Sequence, residues 1–169
     1  MALLETARLS IRRFTEADAA FVLVLLNEPS FLQNIGDRGV RSLQDARAYI
    51  ANGPITSYAR HGFGLCMVEL NTSRIPIGIC GILKRDQLPD PDIGFAFLPA
   101  YWSQGYALES ATAVRDYARG TLRLPRLLAI VSPANAASIR LLEKLGFGFS
   151  TLTRLTPEAH EVKLYTCNL

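Results

Sequence analysis

The chain is poor in the residues that build metal and redox sites, with three cysteines and two histidines among 169 residues. Cys66, Cys80 and Cys167 lie in separate apolar runs, and their spacing matches neither a zinc site nor a disulfide framework. Neither His61 nor His160 lies in a motif that would activate one of these thiols as a nucleophile. We therefore expect no metal site, and buried free thiols in a reducing, cytoplasmic compartment.

Long apolar runs and a concentrated charge are also missing. No apolar run approaches the roughly 20 residues of a membrane-spanning helix, and no signal-peptide pattern opens the chain. The 18 Lys and Arg residues exceed the 15 Asp and Glu residues by three and are dispersed along the chain. This distribution does not indicate nucleic-acid binding. Without repeats or linkers, and with 49% hydrophobic residues, residues 1–169 are expected to form a single domain.

Hydrophobic periodicity predicts strands and helices in the order β-α-α-β-β-β-α-β-α-β-β. Strands are predicted at residues 8–14, 63–70, 75–84, 92–98, 127–131, 147–155 and 161–168. Helices are predicted after Thr15 with a stop at residues 27–30, which include Pro29, from Ser42 to about Asn52, after the loop of residues 102–107, and after Asn135. Residues 31–40 are predicted to be a loop. A doubly wound sheet would alternate strictly, so the order indicates a mixed α/β (α+β) fold. The helix between the fourth and fifth predicted strands is the crossover that a parallel pair requires.

The most informative segment is the loop WSQGYA, which joins the fourth predicted strand to a helix. Gly105 permits close backbone approach, and the apolar residues Ala107, Ala111, Val114 and Ala118 then recur with helical period. Backbone N–H groups at such a helix N-terminus favour a phosphate or pyrophosphate. The alternative is an ordinary turn from strand to helix.

A second motif, NAASIRLLEKLGF, begins at Asn135. Together the two motifs closely resemble the GCN5-related N-acetyltransferase (GNAT) superfamily, and most of all its Rim-type branch, which acetylates the N-terminal amines of ribosomal proteins. Weaker similarity extends from LETARLSIRRFTEADA to HEVKLYTCNL. The resemblance implies a mixed, mostly antiparallel sheet of seven strands flanked by about four helices. Its fourth and fifth strands would be parallel and splayed apart.

The resemblance also implies acetyl-CoA as the cosubstrate. Backbone N–H groups near Phe97 and Leu98 would hold the acetyl carbonyl and the pantetheine amides. Trp102 stands where many members carry Arg or Gln. The pyrophosphate would bind to Ser103, Gln104, Gly105, Tyr106 and Ala107.

In this resemblance, Asn135 would bind the pantetheine arm as well as capping its helix. Many members carry a tyrosine acid seven residues further on, but here that position is Leu142, which has no proton to give. Ser138 would instead serve the departing sulfur, unless it only begins the helix. The identity of the general base remains open. The candidates are Glu158 in the last hairpin, Glu109, Glu161 and a water molecule.

The implied activity is acetyl transfer from CoA to a primary amine. A peptide or protein N-terminus, a free amino acid, a small amine and an aminoglycoside antibiotic all remain candidates for the acceptor. Phe31, Asn34 and Tyr58 are candidate walls of the acceptor site. A catalytically silent acetyl-CoA-binding module, a longer acyl donor and a hydroxyl acceptor remain alternatives. The sequence leaves open whether the protein is a monomer or a homodimer.

Overall fold

A computed structural model describes all 169 residues and is built around one eight-stranded sheet. The strands are β1 (Leu4–Glu5), β2 (Leu9–Arg13), β3 (Leu65–Leu70), β4 (Pro76–Leu83), β5 (Asp92–Phe97), β6 (Arg126–Val131), β7 (Gly148–Thr153) and β8 (Val162–Asn168). Their order in the sheet is β1-β2-β3-β4-β5-β6-β8-β7. Neighbouring strands are antiparallel except β5 and β6, which are parallel.

All seven predicted strands are confirmed, but the sheet has one strand more. The additional strand, β1, pairs Leu4 with Ile11 and Glu5 with Ser10. Two residues are too few to show a hydrophobic alternation, so nothing in the sequence pattern marks this strand.

Six α-helical segments flank the sheet, where about four were expected. They are α1 (Ala19–Leu26), α2 (Pro29–Asn34), α3 (Leu43–Ile50), α4 (Thr56–His61), α5 (Tyr106–Gly120) and α6 (Ala136–Lys144). The four predicted helices correspond to α1, α3, α5 and α6, so α2 and α4 were missed.

Proline explains both missed helices. Pro29 was interpreted as the end of a helix, but it occupies the first turn of α2, where its missing N–H costs no hydrogen bond. The expectation of a loop from residue 31 is therefore wrong as far as Asn34. The helix predicted to end near Asn52 passes instead through a π-helical turn, Ala51–Ile55, and continues as α4. The wider turn accommodates Pro54, which cannot donate a backbone hydrogen bond.

Helices cover both faces of the sheet, as expected. On one face, Val114 of α5 and Leu142 of α6 pack in a core with Cys66 and Val68 of β3. On the other, α1 and α3 pack against Met67, the intervening residue of β3. This alternation is the two-residue period of a strand that is buried on both sides.

The parallel strands β5 and β6 separate soon after they begin. Their register holds only Asp92 opposite Leu128, whereas β5 stays paired with β4 from Asp92 to Phe97. The other edge of β6 is paired with β8 along its whole length. The expected splayed pair is therefore confirmed, and it leaves an opening in the middle of the sheet.

No helix combines the length and apolar composition needed to cross a bilayer.

Candidate active site

A cavity of about 400 Å³ lies where β5 and β6 diverge. Leu25 and Phe31, from the helices on one face of the sheet, form part of its wall. Tyr106 of α5 and Leu141 of α6, which pack with the core on the other face, form another part. The opening therefore connects the two faces of the sheet, and two reactants can enter from opposite sides.

The exposed edge of β5 carries free hydrogen-bond donors. The N–H of Leu98 donates to the carbonyl of Ile77 at 3.0 Å. Because backbone groups alternate between the two edges of an antiparallel strand, the N–H groups of Phe95 and Phe97 point away from β4, into the opening. Both residues line the cavity. The expectation of a free N–H is wrong for Leu98, whose amide is already paired within the sheet.

The loop before α5 is a second row of donors. Ser103 and Gly105 have φ of 59° and 83°, in the left-handed region that glycine tolerates best. None of the backbone N–H groups from Ser103 through Leu108 donates to a backbone acceptor. They lie at the positive end of a 15-residue helix. This arrangement favours an anion.

The structure brings most of the predicted loop residues to the cavity. Ser103, Gly105, Tyr106 and Ala107 line it. Gln104 does not, because its side-chain amide donates to the carbonyl of Ala100 at 3.0 Å. Trp102 lines the cavity too, and its indole N–H donates to the Phe97 carbonyl at 2.9 Å.

The loop is supported from outside by two residues that the sequence analysis missed, Thr6 and Arg8. The carboxylate of Glu109 accepts hydrogen bonds from the Thr6 hydroxyl at 2.6 Å, the Arg8 backbone N–H at 2.9 Å and Arg8 Nε at 2.7 Å. Arg8 Nη1 also donates to the carbonyl of Gln104 at 2.9 Å, and its guanidinium lies 4.4 Å from the ring centre of Tyr106. Glu109 does not line the cavity. Its contacts are those of a support for the loop, not of a base.

Helix α6 brings a polar and cationic face to the cavity. Asn135 Oδ1 accepts from the backbone N–H of Ser138 at 3.2 Å, which confirms Asn135 as the N-cap. Asn135 and Ser138 both line the cavity, as do Arg140 and Lys144. Leu142 is 1% exposed and packs in the core instead. The spacing of Arg140 and Lys144 by four residues was the available signal for the cationic face.

Only one carboxylate lines the cavity, and it is none of the predicted ones. Glu158 lies in the turn between β7 and β8 and Glu161 beside it, both exposed and outside the cavity wall. The lining carboxylate belongs to Glu28, which joins α1 to α2. In the sequence this junction is predicted only to end a helix, and no motif marks Glu28 as functional.

Of the three candidate acceptor-wall residues, Phe31 and Asn34 line the cavity. Tyr58 does not, so that expectation is wrong. Its hydroxyl accepts from the N–H of Phe14 at 3.1 Å and donates to the carbonyl of Leu65. Burial raises the pKa of Tyr58, and these contacts give it a structural role at the junction of β2 and β3.

The cysteines are free and buried, as predicted. Burial raises the pKa of Cys66 to about 11 and that of Cys80 to about 12. Both thiols are therefore protonated at neutral pH and unsuited to nucleophilic attack. No three His, Cys, Asp or Glu side chains converge as metal ligands.

The chain is similar to known proteins in sequence and in fold. Residues 8–148 match the family model of the acetyltransferase (GNAT) domain. The uncharacterized N-acetyltransferase YoaA of Bacillus subtilis is 27% identical over 147 residues, which cover 86% of this chain and 82% of YoaA.

Two solved structures show the same fold. An acetyltransferase from Agrobacterium tumefaciens is 29% identical, with a TM-score of 0.81 over 98% of this chain and 94% of the other. RimL, a ribosomal L7/L12 alpha-N-protein acetyltransferase solved in complex with coenzyme A, is 19% identical. Its TM-score is 0.81, over 100% of this chain and 98% of its own.

Proposed function

The chain belongs to the GNAT family of acetyltransferases, and from this membership we propose that it transfers the acetyl group of acetyl-CoA to a primary amine. The observation that carries the proposal is the continuous set of unpaired N–H groups from Ser103 to Leu108, beside a cavity that also receives the free N–H of Phe97. These donors suit a cosubstrate with a pyrophosphate at one end and a carbonyl at the other.

The charges and hydrogen-bond donors of the cavity suit acetyl-CoA. The loop from Ser103 to Ala107 would hold the pyrophosphate, and Arg140 and Lys144 would balance further phosphate charge. The edge of β5 would pair with pantetheine amides as a neighbouring strand does. The side-chain oxygen of Asn135 already caps α6, and its side-chain N–H groups would donate hydrogen bonds to the pantetheine arm.

When bound, acetyl-CoA supplies an acetyl group activated as a thioester. The Phe97 N–H would hold the carbonyl oxygen and stabilise the negative charge that develops there. The Ser138 hydroxyl lines the same cavity and would donate a proton toward the departing sulfur. Glu158 stays a prediction from family resemblance, and its position outside the cavity wall would require movement of the last hairpin or a water relay.

For the acceptor, we propose an amine that enters beside α2, on the face opposite α5 and α6. The opening through the sheet supports this, because the donor residues occupy the other face. The similarity in fold to RimL makes a peptide or protein N-terminus one candidate. A small amine fits the same opening.

Binding and turnover should be measured separately. Calorimetric titration with acetyl-CoA should give micromolar binding to the wild type and none to Gly105→Glu, whose side chain would fill the loop. Thiol release should then be followed with a panel of amines and N-terminal peptides. Ser138→Ala should keep its affinity for acetyl-CoA and lose most of its turnover, by about 100-fold.

The results separate the alternatives. Binding without turnover on any amine would favour a silent acetyl-CoA-binding module. A preference of tenfold or more for a longer acyl-CoA would show that the donor is not acetyl-CoA. No binding to the wild type would contradict the proposal.

A further inference from the structure

Resting on the proposed function, we propose that Glu28 recognises the amine of the acceptor and restricts the enzyme to acceptors without a carboxylate beside that amine. Glu28 lies in the junction between α1 and α2 and contributes the only carboxylate of the cavity wall. The substrate class that follows is a primary amine with an apolar substituent and no negative charge nearby, such as an amino-acid amide or a peptide N-terminus.

The position of Glu28 is fixed by its backbone. Its N–H donates to the carbonyl of Leu25 at 3.2 Å, and its own carbonyl accepts from the N–H of Leu32 at 3.1 Å. The residue is half-buried, and its side chain forms no salt bridge or hydrogen bond within the protein. The backbone of Glu28 is thus fixed at the cavity wall, and the carboxylate has no hydrogen-bond partner within the protein. A carboxylate accepts hydrogen bonds from both the ammonium and the neutral form of an amine.

The charges of the cavity are separated between its two faces. Arg140 and Lys144, the cations of the wall, project from α6, next to the residues proposed to bind the donor. Glu28 lies on the α2 side. The phosphates of the donor carry more negative charge than these two cations, so a bound donor leaves no positive charge in the cavity wall to offset the carboxylate of Glu28. This carboxylate attracts a cationic acceptor and repels an anionic one, more strongly than in bulk water because the site is partly shielded from solvent.

The neighbours of Glu28 define the rest of the acceptor. Leu25, Phe31 and Ile35 provide apolar contact on the same side of the cavity. Ser30 and Asn34 add hydrogen-bonding groups between them. A compact apolar side chain with an amide or carbonyl next to the amine satisfies both kinds of contact. A free amino acid satisfies the apolar contacts but brings its carboxylate close to Glu28.

The test compares leucinamide with leucine, which share a side chain and differ in charge beside the amine. For the wild type, kcat/KM should favour leucinamide. In Glu28→Gln, which keeps the shape but not the charge, that preference should fall by about tenfold or more. Comparing the ratio between variants cancels the different intrinsic reactivity of the two amines. Acetyl-CoA affinity should not change.

Two further variants make the result specific. In Glu28→Lys, the ratio of kcat/KM for leucinamide to that for leucine should shift in favour of leucine, because the charge at this position is reversed. Glu16→Gln removes an exposed carboxylate outside the cavity and should leave the ratio unchanged. An unchanged ratio in both Glu28→Gln and Glu28→Lys would overturn the proposal. So would a loss of the preference in Glu158→Gln but not in Glu28→Gln.

A binding experiment separates this inference from the proposed function. Leucinamide is titrated into the wild type and Glu28→Gln, each saturated with CoA, and binding is followed by NMR. Binding that depends on Glu28 supports the inference even if no acetyl transfer is found, in which case the proposed function alone fails. Equal binding to both proteins, or none to the wild type, would overturn the role of Glu28.

Discussion

Glu109 and Arg8, 101 positions apart in the chain, are joined by two hydrogen bonds, from the Arg8 backbone N–H at 2.9 Å and from Arg8 Nε at 2.7 Å. Arg8 precedes β2, and Glu109 lies in the first turn of α5. Since Arg8 also donates to the carbonyl of Gln104, the pair fixes the loop of unpaired N–H groups from behind. The N-terminal segment of the chain thereby sets the geometry of the proposed pyrophosphate site.

Replacement of Glu109 by Gln should weaken acetyl-CoA binding without changing the pH dependence of turnover. Burial raises the pKa of Glu109, but the hydrogen bonds from Thr6 and Arg8 outweigh it and hold the pKa below its usual value. The carboxylate therefore stabilises the fold above the unfolded pKa of about 4.3, and this contribution is lost as pH falls through the lower folded value. We expect a loss of about 1 kcal/mol at pH 7, since Arg8 is half exposed and solvent screens the pair, and a smaller loss near pH 3.

Urea denaturation at both pH values and a pH–rate profile measure these effects. If the variant lost an ionisation from the rate profile while retaining its affinity for acetyl-CoA, Glu109 would be the base rather than a support.

Gly105→Ala should weaken acetyl-CoA binding by about tenfold. Gly105 has φ of 83°, which costs an L-residue about 1 to 2 kcal/mol. An added Cβ would also lie 3.2 Å from Arg8 Nη2, so the guanidinium must shift. Gly120→Ala, at the other end of α5, is the matched control, because a Cβ there meets no atom within 4 Å. Equal affinities of the two variants in calorimetry would contradict the expected role of the loop.

Asn135 should show two separable roles. Asn135→Ala removes the cap that accepts from the Ser138 N–H and should cost about 1 kcal/mol of stability. Asn135→Asp keeps the cap oxygen but loses the amide N–H groups, so stability should be retained while acetyl-CoA affinity falls. Thermal denaturation and calorimetry of both variants distinguish these effects. Full affinity in Asn135→Asp would leave Asn135 with only its structural role.

Placing a tyrosine at position 142 should not restore the acid that many superfamily members carry there. Leu142 is 1% exposed and packs in the core, whereas Ser138 lines the cavity. The larger side chain should destabilise the protein by about 1 to 3 kcal/mol through overpacking. Thiol release should not increase. A faster Leu142→Tyr enzyme with unchanged stability would show that this position reaches the cavity.

Asp92 should make stability depend on pH. It lies at the single position where β5 and β6 pair and is 1% exposed. Burial raises its pKa to about 6, although Arg85 opposes the shift. Because the folded state holds this proton more tightly than the unfolded chain, whose aspartates have a pKa of about 3.9, its contribution to stability falls as pH rises from about 4 to about 6.

Asp92→Asn, which cannot ionise, provides the measurement. The stability of the wild type relative to Asp92→Asn should be greater at pH 4 than at pH 7, by roughly 2 to 3 kcal/mol. The same difference at both pH values, in paired urea titrations, would show that Asp92 is ionised in the folded protein throughout this range.

Family resemblance and local pattern were sufficient for most of the fold and for the proposed donor site. Each predicted strand exists, because five or more residues of alternating or continuous apolar character are a strong local signal. The glycine loop and the Asn135 cap are local as well, since their geometry involves neighbours within a few residues. Glu28, which pattern reasoning missed, lies at the junction where Pro29 begins a new helix. Thr6 and Arg8 were missed because their partner, Glu109, is about a hundred residues away in the chain.

The sequence by itself thus determined the order of the seven longer strands and of four of the helices, the loop that presents N–H groups and the cap of α6, since each depends on residues close in the chain. The tertiary structure decided which acidic residue faces the cavity. It directed Glu109 toward Arg8, left Glu158 outside and placed Glu28 on the wall. The reason is physical: a carboxylate's role depends on the charges and solvent around it. Here those surroundings come from parts of the chain up to about a hundred residues away.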